Sequence, residues 1–148
     1  MANPYITAGP LNRVRVHIVV SNNPALNVTP ENMGKNFASI EFEGDWTTQI
    51  ETGTGVVNSP EPYVMATISC GLLRSSALAA AWLSQGLGTT IMGDVTIYPD
   101  TSVFPPIVLN STAIRQLQPG RYDGTDPVVA LTLRGTVNVN QNLWSFTI

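Results

Sequence analysis

Residues 75–86, Ser-Ser-Ala-Leu-Ala-Ala-Ala-Trp-Leu-Ser-Gln-Gly, are the one stretch of this chain with the pattern of an α-helix. Alanine is the strongest helix former, and four alanines stand among the first seven residues of the stretch. Ser75 or Ser76 is expected to cap the N-terminus, since a serine oxygen accepts from a free amide two or three residues on. Gly86 suits the left-handed turn that often follows a helix end.

The predicted helix has one apolar face on which it can pack. Leu78 and Trp82 are four residues apart and therefore share that face, with Ala81 beside them. A helix of this length is marginal in isolation. We therefore expect Leu78 and Trp82 to hold it against a sheet.

The rest of the chain is predicted to be strands, because apolar and polar residues alternate along it. The predicted strands are 13–20, 37–43, 46–52, 63–73, 89–98, 107–117 and 128–139. Residues 1–12 are expected to form an irregular arm, and residues 141–148 either a last edge strand or a segment that docks on a neighbour. The predicted fold is mainly β: an antiparallel β-sandwich or partly closed barrel of about seven strands, with one short helix at about 75–86. The length predicts one domain, 1–148.

The composition is poor in charge. Charged residues make up 11% of the chain and the net charge is −3, so little electrostatic repulsion keeps copies apart. Self-association and a weakly charged monomer both fit this composition. Cys70 is the only cysteine, so no internal disulfide forms, and its apolar strand predicts a buried thiol. No signal peptide and no apolar run of membrane-spanning length is present, which predicts cytoplasmic folding and no membrane insertion.

Residues with catalytic potential are few and scattered. His17 has no Cys or His neighbour in the sequence, which argues against a metal ligand or a general base. Glu41 and Glu43 lie about 7 Å apart along a predicted strand, a spacing compatible in principle with a carboxylate pair but common for surface charges. We therefore expect no enzymatic activity, no catalytic residues, no metal and no cofactor.

An acidic region spans the second and third predicted strands. It comprises Glu41, Glu43, Asp45 and Glu51, and no Lys or Arg occurs between residues 36 and 61. Neighbouring like charges on a sheet are unfavourable, so a function other than folding can explain them. The alternative explanation is a solvated edge that is kept acidic to discourage aggregation.

Residues 53–62, Gly-Thr-Gly-Val-Val-Asn-Ser-Pro-Glu-Pro, are predicted to form an extended hairpin tip. Val56 and Val57 are apolar residues in this otherwise polar loop. They indicate either a contact surface for a partner or two ordinary exposed valines.

The order of elements over residues 37–82 resembles that of the tail tube proteins of contractile-tailed bacteriophages. It contains the acidic strand Ile-Glu-Phe-Glu-Gly-Asp at 40–45, the strand Trp-Thr-Thr-Gln-Ile-Glu-Thr at 46–52, a Gly-rich tip, an apolar strand at 63–72 and a Ser-capped helix ending in Trp-Leu. The later strands and the chain length agree with this resemblance, which extends from about residue 13 onward.

The resemblance implies a structural virion protein. Tail tube subunits form hexameric rings by strand pairing between subunits, and the rings stack into a tube whose inner barrel encloses a channel for DNA. The implied partners are other copies of the chain, the tail sheath, the baseplate, the tail terminator and, during assembly, the tape measure protein. DNA would pass without specific binding. The implied location is the virion tail, and the host cytoplasm during assembly.

The resemblance also implies roles for particular residues. The segment 40–52, taken as a hairpin, would line the channel together with 63–70, with Glu41, Glu43, Asp45 and Glu51 facing the lumen. Val56, Val57 and Asn58 would contact the next ring, as would the arm 1–12. The helix would lie outside the barrel. Two other interpretations remain: an Hcp-like ring of a secretion or spike apparatus, and a monomeric β-sandwich that binds a ligand.

Overall fold

The computed structural model describes residues 9, 16–34, 38–99, 104–121 and 124–143. Most of the predicted arm 1–12 and residues 144–148 of the predicted tail lie outside these ranges. The described strands are β1 (His17–Val20), β2 (Ser39–Glu43), β3 (Thr47–Glu51), β4 (Val56–Pro60), β5 (Tyr63–Leu73), β6 (Ile91–Tyr98), β7 (Ile107–Gln118) and β8 (Val128–Asn138). Helix α1 spans Ala77–Gly88, and two short 3₁₀ turns span Pro24–Leu26 and Pro30–Asn32.

Six strands form one antiparallel sheet in the order β1-β6-β7-β8-β5-β2, which curls into a half-barrel. The longest pairing joins β5 to β8, from Tyr63 opposite Asn138 to Leu73 opposite Val128. Strands β3 and β4 form a separate two-stranded sheet. The predicted mainly β fold, a partly closed barrel with one helix, is confirmed.

Strand β4 was not predicted. Its sequence lies between Gly53 and Gly55 on one side and Pro62 on the other, and such residues favour a turn. The strand nevertheless forms by pairing with β3. Pro60 is tolerated because β4 is an edge strand of this two-stranded sheet.

The core lies on one face of the half-barrel. Along β5 the buried side chains alternate with exposed or half-buried ones, as two-residue periodicity requires, and those of β8 follow the same pattern. The buried side chains of β5 are Val64, Ala66, Ile68, Cys70 and Leu72. Burial raises the pKa of the Cys70 thiol to about 12, so this cysteine stays protonated and unreactive near neutral pH.

The connection between β1 and β2 covers part of this core. Apolar residues do not repeat there with the spacing of a strand or a helix, yet Leu26, Val28 and Met33 are all buried. Val28 exchanges two backbone hydrogen bonds with Ile18, at 2.8 and 3.0 Å. The Asn- and Pro-rich segment is therefore a packed part of the fold, and not only a surface loop.

Helix α1 begins as its sequence predicts but ends later. Ser76 is the N-cap, and its Oγ accepts from the Leu78 amide at 3.2 Å. The prediction that Gly86 forms the turn after the helix was wrong. Helical hydrogen bonding continues past it, and the chain leaves the helix at Thr89, whose amide still donates to the Gln85 carbonyl at 2.8 Å.

Two side chains hold α1 against the half-barrel. Trp82 is completely buried, and Leu78 packs against the same core. The helix contacts β5, β7 and the turn Pro24–Leu26. Its opposite side exposes Leu83 and Leu87 to solvent.

Candidate functional site

The face of the sheet opposite the core carries a group of polar side chains at its centre. On β5 and β8, Thr67, Ser69, Thr132 and Arg134 alternate with the buried residues and are half-buried or exposed. Thr67 lies opposite Arg134, and Ser69 opposite Thr132. We call the outward side of β2, β5, β8 and β7 the polar sheet face.

Glu43 is bound tightly within the polar sheet face. Its carboxylate accepts from Arg134 Nη2 at 2.6 Å and from Thr67 Oγ1 at 2.8 Å. These two hydrogen bonds, that from Arg134 first, hold the pKa of Glu43 below its ordinary value, and the nearby charge of Arg115 acts in the same direction. Glu43 therefore joins β2 to β8 across the intervening strand β5.

The charges on this face largely cancel. Glu41 is exposed on the same side of β2 as Glu43, and it lies opposite Thr67. The arginines Arg134 and Arg115 offset these two carboxylates. Neither arginine was predicted to lie near the acidic strand. They belong to β8 and β7, which come close to β2 only through long-range strand pairing.

The other two candidate acids lie elsewhere. Asp45 is exposed in the turn after β2, and Glu51 is exposed at the far end of β3, opposite Val56. The predicted hairpin over 40–52 was wrong, because β2 pairs with β5 and β3 pairs with β4. Gly44, at φ +80°, lies between β2 and β3 in a backbone conformation that favours glycine. The four acids thus do not share one face.

Strands β3 and β4 form an exposed hairpin. Ile50, Val56 and Val57 each expose more than half of their surface, at 51%, 57% and 53%. The tip closes with a hydrogen bond from the Thr52 amide to the Gly55 carbonyl at 2.7 Å. An isolated two-stranded hairpin is marginally stable in water, so these apolar side chains are suited to contact with another surface.

The two faces of the β3–β4 hairpin differ. Ile50 lies directly opposite Val57, which makes an apolar pair on one face. Val56 is opposite Glu51 on the other face, where Gln49 Nε2 donates to Asn58 Oδ1 at 3.2 Å. Val56, Val57 and Asn58 were predicted in a loop; they lie in strand β4.

The base of the hairpin is anchored to the main sheet. Asn140 Nδ2 donates to the backbone carbonyls of Trp46 and Glu61, at 3.1 and 2.9 Å. The Trp46 ring meets Phe42 edge-on, with 5.1 Å between centroids. Asn140 was not singled out from the sequence, since a lone asparagine after a strand gives no signal of such a role.

Two strands end the main sheet. Among the described residues, β2 pairs with β5 alone and presents one unpaired edge, whereas the outer edge of β1 is occupied by Val28, which is hydrogen-bonded to Ile18. Unpaired edges are sites where another chain can add a strand. His17 is exposed in β1.

An apolar cavity of about 940 Å³ opens between β2, the end of β8 and the segment before β7. The large apolar side chains on its wall include Ile40, Phe42, Trp46, Phe104, Val137 and Leu143. The sequence did not predict this cavity, because its wall combines residues from five separate parts of the chain.

Within the described residues, no three His, Cys, Asp or Glu side chains come together as metal ligands would. No helix in that part of the chain has the length and apolar character needed to cross a membrane.

The Glu43–Arg134 interaction gives the fold a pH dependence. A lowered carboxylate pKa stabilises the fold above the ordinary glutamate pKa, about 4.3, and this contribution is lost as pH falls through the lower folded value. We expect Glu43→Gln to lower the unfolding temperature at pH 7 and to have much less effect at pH 3. Thermal unfolding of the two proteins at pH 7 and at pH 3 tests this expectation. Glu41→Gln, which removes an exposed carboxylate from the same strand, is the control; an equal effect of both changes would contradict the interpretation.

Comparison with known proteins gives structural matches but no sequence match. No known family model matches the chain, and no curated protein matches it significantly. Among solved structures, the chain is similar to the anti-feeding prophage cap, described as the tube-terminating cap, with 14% identity, 92% of each chain covered and a TM-score of 0.44. A TM-score this low does not establish a common fold.

Proposed function

We propose that this chain is a non-enzymatic structural subunit of a phage-type tail tube, which assembles into stacked rings. The observation that supports this most directly is the β3–β4 hairpin. Its apolar pair Ile50 and Val57 is exposed, and the hydrogen bonds that link the described residues of the main sheet to the hairpin lie at its base. A neighbouring ring would cover the hairpin and remove these side chains from water, which is favourable by about 25 cal/mol per Å² of apolar surface.

Within a ring, the free edge of β2 would pair with a strand of the neighbouring subunit. Edge pairing in one direction around the ring is a heterologous contact that closes, so no unpaired edge remains. Six subunits per ring is the number that the sequence resemblance implies. The low charge of the chain favours such close association.

The polar sheet face would line the channel. Its threonine and serine side chains carry hydroxyl groups, and the charge of Glu43 is offset by Arg134. We infer a channel wall closer to neutral than the sequence alone predicts, with negative charge from Glu41 and, if they reach the bore, from Asp45 and Glu51. DNA phosphates would find no cluster of cations to bind as the genome passes.

This role defines the proposed partners and location. The chain would bind other copies of itself, and the sheath, baseplate, terminator and tape measure proteins would complete the tail. The protein would fold in the host cytoplasm and function in the virion tail. An Hcp-like secretion ring uses the same contacts and is the nearest alternative.

A second candidate function rests on the apolar cavity. A volume of about 940 Å³ lies within the range of small-molecule sites, which are mostly apolar. In a monomeric ligand-binding module this cavity would be the binding site, and the β3–β4 hairpin would have no role in assembly.

Negative-stain electron microscopy over a range of protein concentrations distinguishes these proposals. Hollow tubes of uniform width support the tail tube, and their end views count the subunits per ring. Isolated rings that never stack favour the secretion-type ring. Particles of monomer size at every concentration contradict the tube and favour the ligand-binding module.

A further inference from the structure

We propose that the apolar cavity receives the β3–β4 hairpin of a second copy of the chain, with Ile50 and Val57 entering it. The cavity is the one described above, between β2, the end of β8 and the segment before β7. This inference rests on the proposed assembly into stacked rings, and it identifies the surface of the neighbouring ring that would receive the hairpin.

The cavity presents large apolar side chains at its mouth. Trp46, Phe104 and Leu143 expose 47%, 66% and 67% of their surface, and all three stand on its wall. Behind them, Ile40 and Val137 pack against the main core. A concave site with several large exposed apolar residues is typical of a surface that binds a partner.

The hairpin leads away from the cavity of its own subunit. Trp46, at the base of the hairpin, stands on the cavity wall, but no residue of β3 or β4, both of which the structure describes in full, lines it. Ile50 and Val57 accordingly remain exposed. The subunit thus carries an apolar projection and an apolar cavity that do not contact each other, so each can bind its counterpart on another copy.

The hairpin face that carries Ile50 and Val57 matches the cavity in polarity. Thr48 and Ser59 lie opposite each other on the same face, so an apolar pair is flanked by hydroxyls, without a charge. Among the described residues that line the cavity, none is charged, and four have amide side chains that both donate and accept hydrogen bonds: Asn138, Asn140, Gln141 and Asn142. Insertion of this face would therefore bury no unpaired charge.

The lack of charge also favours the hairpin over a small amphiphilic ligand. A fatty acid or another apolar anion would need a cation for its carboxylate, and the described part of the wall offers none. Each copy has one such hairpin and one such cavity, so it can give one hairpin and receive one. A contact of this kind is heterologous and extends from copy to copy.

The cavity is large enough for the apolar pair. Residues directly opposite each other in antiparallel strands have Cβ atoms about 5 Å apart, so Ile50 and Val57 form one compact apolar unit. A volume of about 940 Å³ is at the upper end of the range that holds a whole small molecule. The volume is therefore sufficient for the pair and for the flanking hydroxyl side chains.

Cross-linking between two single-cysteine variants tests the inference. Val57→Cys and Leu143→Cys are prepared separately, one of them with a size tag, then mixed, assembled and treated with a short bis-maleimide. A product of mixed size can form only between two copies, and the native Cys70 is buried. We expect several-fold more mixed product than from Val57→Cys with Leu87→Cys, the matched control, since Leu87 is also exposed but is not on the cavity wall.

Microscopy of the unchanged protein separates failure of this inference from failure of the proposed function. If tubes form but Leu143→Cys gives no more mixed product than Leu87→Cys, the hairpin binds elsewhere and the inference is overturned while the tube stands. Cross-links mainly between two copies of Val57→Cys would also overturn it, because the hairpins would then contact each other. If the unchanged protein forms no tubes, the proposed function and the inference both fail.

A charge on the cavity wall gives a second test that needs no labelling. Phe104→Asp should raise the protein concentration needed for assembly at least about tenfold, because the entering hairpin would bury the charge without a partner. Val108→Asp, at an exposed valine that is not on the wall, should leave that concentration unchanged. Equal effects of the two changes would overturn the inference, and far-UV circular dichroism establishes that both variants are folded.

Discussion

The double variant Val56→Asp/Val57→Asp is expected to form no tubes at concentrations where the unchanged protein forms them. Val56 and Val57 are exposed on opposite faces of strand β4, so the monomer can accommodate both charges in water. An interface that covers the hairpin would bury them without partners, and this costs roughly several kcal/mol for each subunit. Negative-stain microscopy and sedimentation measure the loss of assembly, and circular dichroism establishes that the monomer is folded.

Two controls make this experiment specific. Val108→Asp places the same charge at an exposed valine of β7, outside the hairpin, and should leave assembly intact. The single variants separate the two hairpin faces, and the larger effect is expected from Val57→Asp because Val57 pairs with Ile50. Normal tubes from the double variant would show that the hairpin is not the contact between rings.

Trp82→Ala is expected to lower the free energy of unfolding by about 3–5 kcal/mol. Trp82 is completely buried between α1 and the half-barrel, and the small side chain would leave a cavity there. Urea unfolding measures the change. Leu87→Ala, on the exposed side of the same helix, is the matched control and should change the free energy of unfolding by no more than about 0.5 kcal/mol. Similar effects of the two changes would contradict the packing described for α1.

Local sequence patterns were sufficient to predict most of the fold. Strands β5 and β8 show clear two-residue alternation, and their predicted bounds agree with the structure to within a residue. The helix was predicted from its alanines and its serine cap. The end of the helix was predicted too early, at Gly86. In sequence, a glycine inside the last turn of a helix looks the same as a glycine in the turn that follows a helix.

The candidate surfaces depend on contacts that no local pattern encodes. Glu43 and Arg134 are 91 residues apart and meet only because β2 and β8 both pair with β5. Their ion pair changes the expected charge of the polar sheet face, although each residue was placed in a predicted strand. Strand β4 was missed for a different reason, since its pairing with β3 overrides the turn-forming residues on either side of it.

The buried thiol of Cys70 makes the protein convenient for chemical labelling. A thiol with a pKa near 12 reacts very slowly with maleimides and iodoacetamides at neutral pH, and burial also blocks access to it. A cysteine introduced at an exposed position, such as Asn58, would therefore be labelled selectively without prior removal of the native one. Fluorescent dyes or spin labels could then report the distance between hairpins of adjacent subunits directly.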